Sequence, residues 1–320
     1  MKKIIASALT AAVVIGAAST TFAKDFTDEF SLDAEARYTY AHIKFAKGVK
    51  AHPSVLELRL LPTYRINDDM SIKARFTGAW DIDADDTDGD MNYLYLDADF
   101  DAYNFNVGKI PLVSWVDNNP MSGGFFDDFF TGVQATTEYD DNFTLKVDAG
   151  RWNEIKDTFG GNHVTYISGE GIYTDDDERF TAGVGYHYVK NRVIGKNNVL
   201  MLGGSYNVNE DWNVYGAYAK NTDANALDKA YNVEAVYRGA DTEEPGSYGA
   251  FVAYRYVGVT ASPLGTVDTY RIFRNIKGFD FGGNYVPIEN TLVRVSYLHG
   301  KNLINNDTSN VFVARASWFF

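Results

Sequence analysis

The 320-residue chain contains no cysteine, which excludes a disulfide framework and any thiolate metal site. It has only five histidines, His42, His52, His163, His187 and His299, and no two of them stand four residues apart. A helical His-Glu-x-x-His zinc arrangement is therefore absent. Neither a nucleophile elbow nor a phosphate-binding loop occurs. Gly183-Val184-Gly185 lacks a third glycine and a following helix, and reads as a packing feature. Basic residues are scarce, 29 against 43 acidic ones for a net charge of −14. That balance argues against nucleic acid as a partner, because phosphate contacts need clustered Lys and Arg. Beyond residue 23 no apolar run approaches the ~20 residues of a spanning helix. No enzymatic activity, cofactor or metal is expected.

What the chain does have is 22 Tyr, 21 Phe and 28 Gly against seven Pro, a mix suited to many strands joined by tight turns. The first residues stand apart. Lys2 and Lys3 precede an apolar, Ala-rich run from Ile4 to Ala18, and Thr21-Phe22-Ala23 offers small residues at a cleavage site. Residues 1–23 read as a secretion signal, which leaves 24–320 as one folded domain.

From Phe30 onward apolar residues recur with period two, the mark of strands with two unlike faces. Leu32, Ala34, Ala36, Tyr38 and Tyr40 alternate with Asp33, Glu35, Arg37 and Thr39. Leu56, Leu58 and Leu60 alternate with Glu57, Arg59 and Leu61. Ile72, Ala74, Phe76, Gly78 and Trp80 alternate with Ser71, Lys73, Arg75 and Thr77. An ordinary sandwich would show the same alternation. It would not show a recurring Tyr, short acidic or amide turn, aromatic or aliphatic restart, as at Tyr64 to Met70, Tyr139 to Phe143, Tyr173 to Phe180, Tyr206 to Trp212 and Tyr285 to Leu292. Aromatics bracketing one set of turns are what an interfacial girdle of a transmembrane barrel requires.

Segments near 30–42, 54–66, 70–83, 91–101, 103–110, 131–139, 143–152 and 164–173 are read as strands, followed by 179–190, 198–208, 212–220, 229–238, 247–257, 276–287, 291–300 and 310–320. The expectation is an all-β fold, a sixteen-stranded antiparallel transmembrane barrel, with fourteen strands as the alternative. Short turns alternate with mostly longer connections. Charges on the longer set cancel, so the acidity falls on the short turns and strand ends, and bulk charge should not make a channel strongly cation-selective. The densest acidic run, Asp81 to Asp90, has Asp86 where a calcium loop needs Gly, and is read as a solvated outer loop. Tyr93 and Tyr95 share a face with Asp97 and Asp99, and are read as filling space behind the long fifth connection or at a subunit contact.

That fifth connection, Pro111 to Phe130, carries too many aromatics for an exposed loop and should pack against something. Its Asn119-Pro120, Gly123-Gly124-Phe125 and Asp127-Asp128-Phe129-Phe130-Thr131-Gly132, with the closing Ala316-Ser317-Trp318-Phe319-Phe320, resemble the general diffusion porins of Gram-negative outer membranes. The likeness spans the post-signal chain in architecture, and at motif level only this loop and the last strand. One departure is Met121, where the family usually carries a Glu. The resemblance implies an inward-folded third outer loop and a homotrimer. It implies passive diffusion of ions and small hydrophilic solutes, contact with outer-membrane lipid and lipopolysaccharide, and insertion by the barrel-assembly machinery. A substrate-selective porin for a sugar, phosphate or organic acid and a structural or adhesive barrel are the alternatives. The expected constriction sets Arg37, Arg59, Lys73 and Arg75 against Asp117, Asp127 and Asp128.

The terminal aromatic on an alternating last strand generates a direct test. Deleting Phe320 should slow membrane insertion and lower the amount of heat-modifiable folded barrel. Normal levels of folded barrel from the truncated chain would refute it.

Overall fold

A computed structural model describes residues 24–44, 50–117, 120–152, 164–192, 195–263 and 275–320. The secretion-signal reading of residues 1–23 lies outside them. Sixteen long strands form one antiparallel sheet: β1 Phe30–Lys44, β2 Ser54–Asn67, β3 Met70–Asp81, β4 Asp86–Phe100, β5 Tyr103–Val113, β6 Asp127–Asp140, β7 Phe143–Trp152 and β8 Val164–Thr174. The sheet continues with β9 Phe180–Asn191, β10 Gly195–Asn207, β11 Trp212–Asn221, β12 Lys229–Tyr237, β13 Tyr248–Val257, β14 Ile276–Tyr285, β15 Thr291–Asn302 and β16 Thr308–Phe319. Two short pieces, Lys24–Thr27 and Lys50–Ala51, pair with the beginning and end of β1.

Each long strand pairs with its sequence neighbours, and β16 closes the ring on β1 from Asn310↔Lys44 to Phe319↔Glu35. The last residue completes the seam: Phe320 N–H donates to Ala34 O at 2.8 Å, and Ala34 N–H returns a bond at 3.0 Å. Each of the sixteen long strands described thus has a partner on both sides, the condition a barrel must meet where no water can solvate an edge. The barrel has sixteen strands rather than fourteen.

The two faces separate as the alternation requires. One row is apolar and open: Val184, Leu202, Val233 and Phe279 are each more than half exposed. Tyr64, Tyr139, Tyr173, Tyr206 and Tyr285 belong to the exposed set, at the end of the barrel that carries the short turns. Asx bonds explain those turns, since Asn67 Oδ1 accepts Asp69 N–H at 3.0 Å and Asn209 Oδ1 accepts Asp211 and Trp212 N–H at 2.9 Å each. The other row is polar and more sheltered, and carries Glu35, Arg37, Glu57, Arg59, Asp148, Glu170, Glu234, Arg255 and Asp280.

Two boundaries correct the sequence reading. The acidic run is not mostly loop: the turn is only residues 82–85, and Asp86 to Asp90 pair with β3 from Asp81↔Asp86 to Thr77↔Asp90. Asp81 Oδ1 closes the turn on Asp83 and Ala84 N–H, and Asp85 takes the left-handed φ of 49°. Gly78 stands opposite Gly89 in this pairing. Likewise Asp127 and Asp128 open β6 in register with Val113 and Leu112, so the fifth connection is residues 114–126.

Candidate functional site

On β1 and β2 the register sets Glu35 opposite Arg59 and Arg37 opposite Glu57. Charges therefore alternate both along each strand and across the pair. Arg37 Nη2 lies 2.8 Å from Glu35, and Arg59 lies 3.4 Å from Glu35 and 3.5 Å from Glu57. Arg315 on β16 extends the patch, its Nε donating to Thr39 Oγ1 at 3.0 Å. Lys73 lies 2.5 Å from Asp97 across the β3–β4 pair. Arg75 is held by rings: its guanidinium carbon sits 5.3 Å from the centre of Tyr93 and 5.0 Å from that of Phe129, and its Nε donates to Asn92. Each cation–π contact of this kind contributes roughly 0.5–2 kcal/mol. Tyr93 thus packs against the start of β6, its ring 6.3 Å from Phe129.

Residues 114–117 leave β5, and they and residues 120–126 meet polar-row side chains of strands far around the ring. Near the root, Lys146 Nζ donates to Val113 O at 2.5 Å and Trp115 N–H donates to Glu170 at 2.7 Å. Lys146 also lies 3.4 Å from Glu170 and 4.8 Å from the centre of the Trp115 ring. Phe126 stacks on His187 at 4.1 Å and 9°. Val116 lies in a glycine trough: a Cβ at Gly203 would stand 2.0 Å from Val116 O, and one at Gly183 or Gly185 would stand 3.3 Å from its side chain.

At the far end the Glu234 carboxylate on β12 accepts Met121 N–H at 3.0 Å and Ser122 N–H at 2.7 Å. Asn232 donates to Ser122 Oγ at 2.6 Å, Arg294 to Met121 O, and Ser262 Oγ to Phe125 O at 2.9 Å. Asn284 reaches Met121 Sδ at 3.5 Å. Met121, where the resemblance leads one to expect a Glu, is thus a point of attachment.

The structure brings Arg37 and Arg59 into one network, sets Lys73 beside Asp97, and joins Arg75 to the start of β6 through Phe129. It distributes the three aspartates differently. Asp117 is 3% exposed and accepts the Phe125 N–H, so its carboxylate folds the segment onto itself. Asp128 accepts the Trp152 Nε1–H at 2.7 Å, and Asp127 is half-buried at the first position of β6. Glu234, Lys146, Glu170 and His187 were not singled out as partners of the segment. Their signal was present as isolated charged or polar residues on the row that alternates with Val184, Leu202 and Val233.

No protein-family model matches the chain, and neither does any curated protein. Among solved structures it is similar to a variant of the Rhodopseudomonas blastica porin, with TM-score 0.60 and 14% identity over 91% of this chain and 100% of that one. Pseudomonas putida OprB gives TM-score 0.66 and 11% identity over 91% and 94%, and Salmonella typhi OmpF, in complex with daunomycin, 0.62 and 13% over 92% and 98%. The chain has the porin fold. At such identities residues do not transfer from one porin to another, so the roles of individual side chains rest on this chain's own contacts.

In this porin fold the Glu234 contacts should be what keeps the 120–126 stretch in place. Hydrogen bonds to a charged group contribute roughly 1.5–3 kcal/mol each. Glu234→Ala removes two, and should raise opening of the stretch by about two orders of magnitude, ~3 kcal/mol in all. Hydrogen exchange at Met121 and Ser122 reads this. Unchanged protection of those two amides would contradict it.

Proposed function

We propose that the barrel is an outer-membrane channel for passive diffusion of ions and small hydrophilic solutes. The observation that carries this reading is the inverted alternation: the exposed row is apolar and the sheltered row holds the arginines and glutamates. In a soluble barrel with a dry core the charges would face outward, because an unsolvated guanidinium or carboxylate is very costly. The same pattern is natural when the outer face meets hydrocarbon and the inner face meets water. The reading includes removal of residues 1–23 on export, insertion by the barrel-assembly machinery, contact with lipopolysaccharide, and a homotrimer with the early strands at the subunit contact.

In this reading residues 114–117 and 120–126 belong to the third outer loop, folded into the lumen as a constriction. Their hydrogen bonds to Glu170, Asn232, Glu234 and Arg294 support it, since these residues lie on three strands of the polar row, β8, β12 and β15. Arg37, Arg59, Lys73 and Arg75 then form one side of the gap, with Glu35 and Glu57 set among them. Asp127 and Asp128 stand where the loop returns, and Asp117 acts by holding the loop's shape. Fixed charges in a narrow aqueous gap with low-dielectric walls are screened less than on an open surface, so they orient water and dipolar solutes.

Planar-bilayer recording tests the reading. The wild-type chain should give discrete, ohmic single-channel steps. Replacing Arg37, Arg59 and Arg75 together by Ser should enlarge the steps and shift the reversal potential toward cations, because Glu35 and Glu57 lose their partners. Absence of conductance would overturn the channel reading, and unchanged conductance and reversal potential in the triple variant would remove these arginines from the constriction.

A further inference from the structure

The exposed apolar row is not even. Between β7 and β11 it holds a groove of about 650 Å³ lined by Leu145, Val147, Gly169, Val184, Leu200 and Leu202, with Lys220 at its β11 edge. Gly169 leaves open space there, since a Cβ at this position would meet nothing within 4 Å. On the two strands that carry Val184 and Leu200, the same row ends in Lys190 on β9 and Lys196 on β10, directly opposite each other in register. Opposed lysines recur at this end of the barrel as Lys220↔Lys229 and Lys277↔Lys301. Like charges directly opposite each other destabilise a sheet. Among the described residues Lys220 alone of the six forms an ion pair with a carboxylate, that of Asp228. Asp223, the acid beside Asn198, accepts its hydrogen bonds from the Asn198 backbone at 2.9 Å and side chain at 2.7 Å. Among the described residues the Lys190–Lys196 pair therefore has no carboxylate partner.

The spacing suits a lipid. Leu200 lies four residues below Lys196 and Val184 six residues below Lys190, which is roughly 13–20 Å at ~3.3 Å per residue. That is close to one leaflet's share, about 15 Å, of a bilayer's hydrocarbon. Lysine at such a boundary buries its stem and presents its ammonium to headgroup phosphates.

We propose that the groove and the Lys190–Lys196 pair together bind one phosphate-bearing membrane lipid, an acyl chain lying over Gly169 and the phosphate between the two ammonium groups. This rests on the reading of the barrel as membrane-embedded, and not on what the channel conducts. The site lies on the β7–β10 side, away from the early strands assigned to the subunit contact, so lipid and neighbouring subunit do not compete for it.

The test uses the full chain folded in detergent and native mass spectrometry, with dioleoyl phosphatidic acid as probe. Dioleoylglycerol has the same chains without phosphate, and inorganic phosphate lacks the chains. Phosphatidic acid should be retained at least ten-fold more tightly than dioleoylglycerol, and millimolar phosphate should not displace it. Lys190→Gln with Lys196→Gln should weaken retention about ten-fold, and Gly169→Leu should do so independently by filling the groove. Both variants should keep wild-type heat-modifiability and conductance. Equal retention of dioleoylglycerol, displacement by phosphate alone, or undiminished retention in both variants would each overturn the proposal. Lipid retained by a barrel that conducts nothing would contradict the channel reading and support this one.

Discussion

The path of residues 120–126 depends on one carboxylate. Glu234 is fully buried, and a buried anion is tolerable only where donors surround it. Met121 and Ser122 supply two backbone N–H groups, and Asn232 and Arg294 fix the same stretch from either side. The dependence is mutual: the segment gives the carboxylate its donors, and the carboxylate gives the segment a fixed end. An apolar residue at position 234 would leave two backbone donors unsatisfied, and a loop without its turn at Met121 would strip the carboxylate of both backbone donors.

The rest of the segment is shaped to reach that point. Gly183, Gly185 and Gly203 remove side chains where Val116 must lie against the sheet, and only glycine permits the 2.0 Å approach to a would-be Cβ at Gly203. Lys146 and Glu170 hold the root, and Phe125, Phe126 and Phe130 bury themselves against Trp152 and Tyr166. The Asp117 carboxylate closes the segment on Phe125 N–H. Glycines, charged pairs and aromatics thus act on one element, and the Glu35–Arg59 and Arg37–Glu57 pairs on β1 and β2 are left to define the space beside it.

Much of this was legible in the sequence because strand alternation is a local signal. Arg37, Arg59, Lys73 and Arg75 declared their common row through their neighbours, and the Tyr-flanked turns declared one end of the barrel. Asp86 to Asp90 and Asp127–Asp128 were misplaced because aspartate clusters usually mark turns, whereas here cross-strand pairing to Gly78 and to Val113 overrides that preference. The Glu234 clamp was not legible. Its two ends are 113 residues apart in sequence, and only closure of the ring brings β12 to face the segment that leaves β5. A lone Glu between Ala and Val on a strand says that something must satisfy it, without saying what.

The chain's lack of cysteine makes the decisive measurement clean. Met121→Cys with Asn284→Cys sets two thiols on side chains whose tips now touch, Asn284 Nδ2 lying 3.5 Å from the Met121 sulfur. Cysteine sulfurs fall one bond short of those tips, so an ethane-bridged bis-methanethiosulfonate, a short linker released by reduction, is used to join them. If residues 120–126 are held across the barrel in the conducting state, the crosslink should form in the folded protein. Single-channel conductance should then be the same before and after reduction. Failure of the pair to crosslink in the folded barrel, or a conductance that rises when the linker is reduced, would contradict the account.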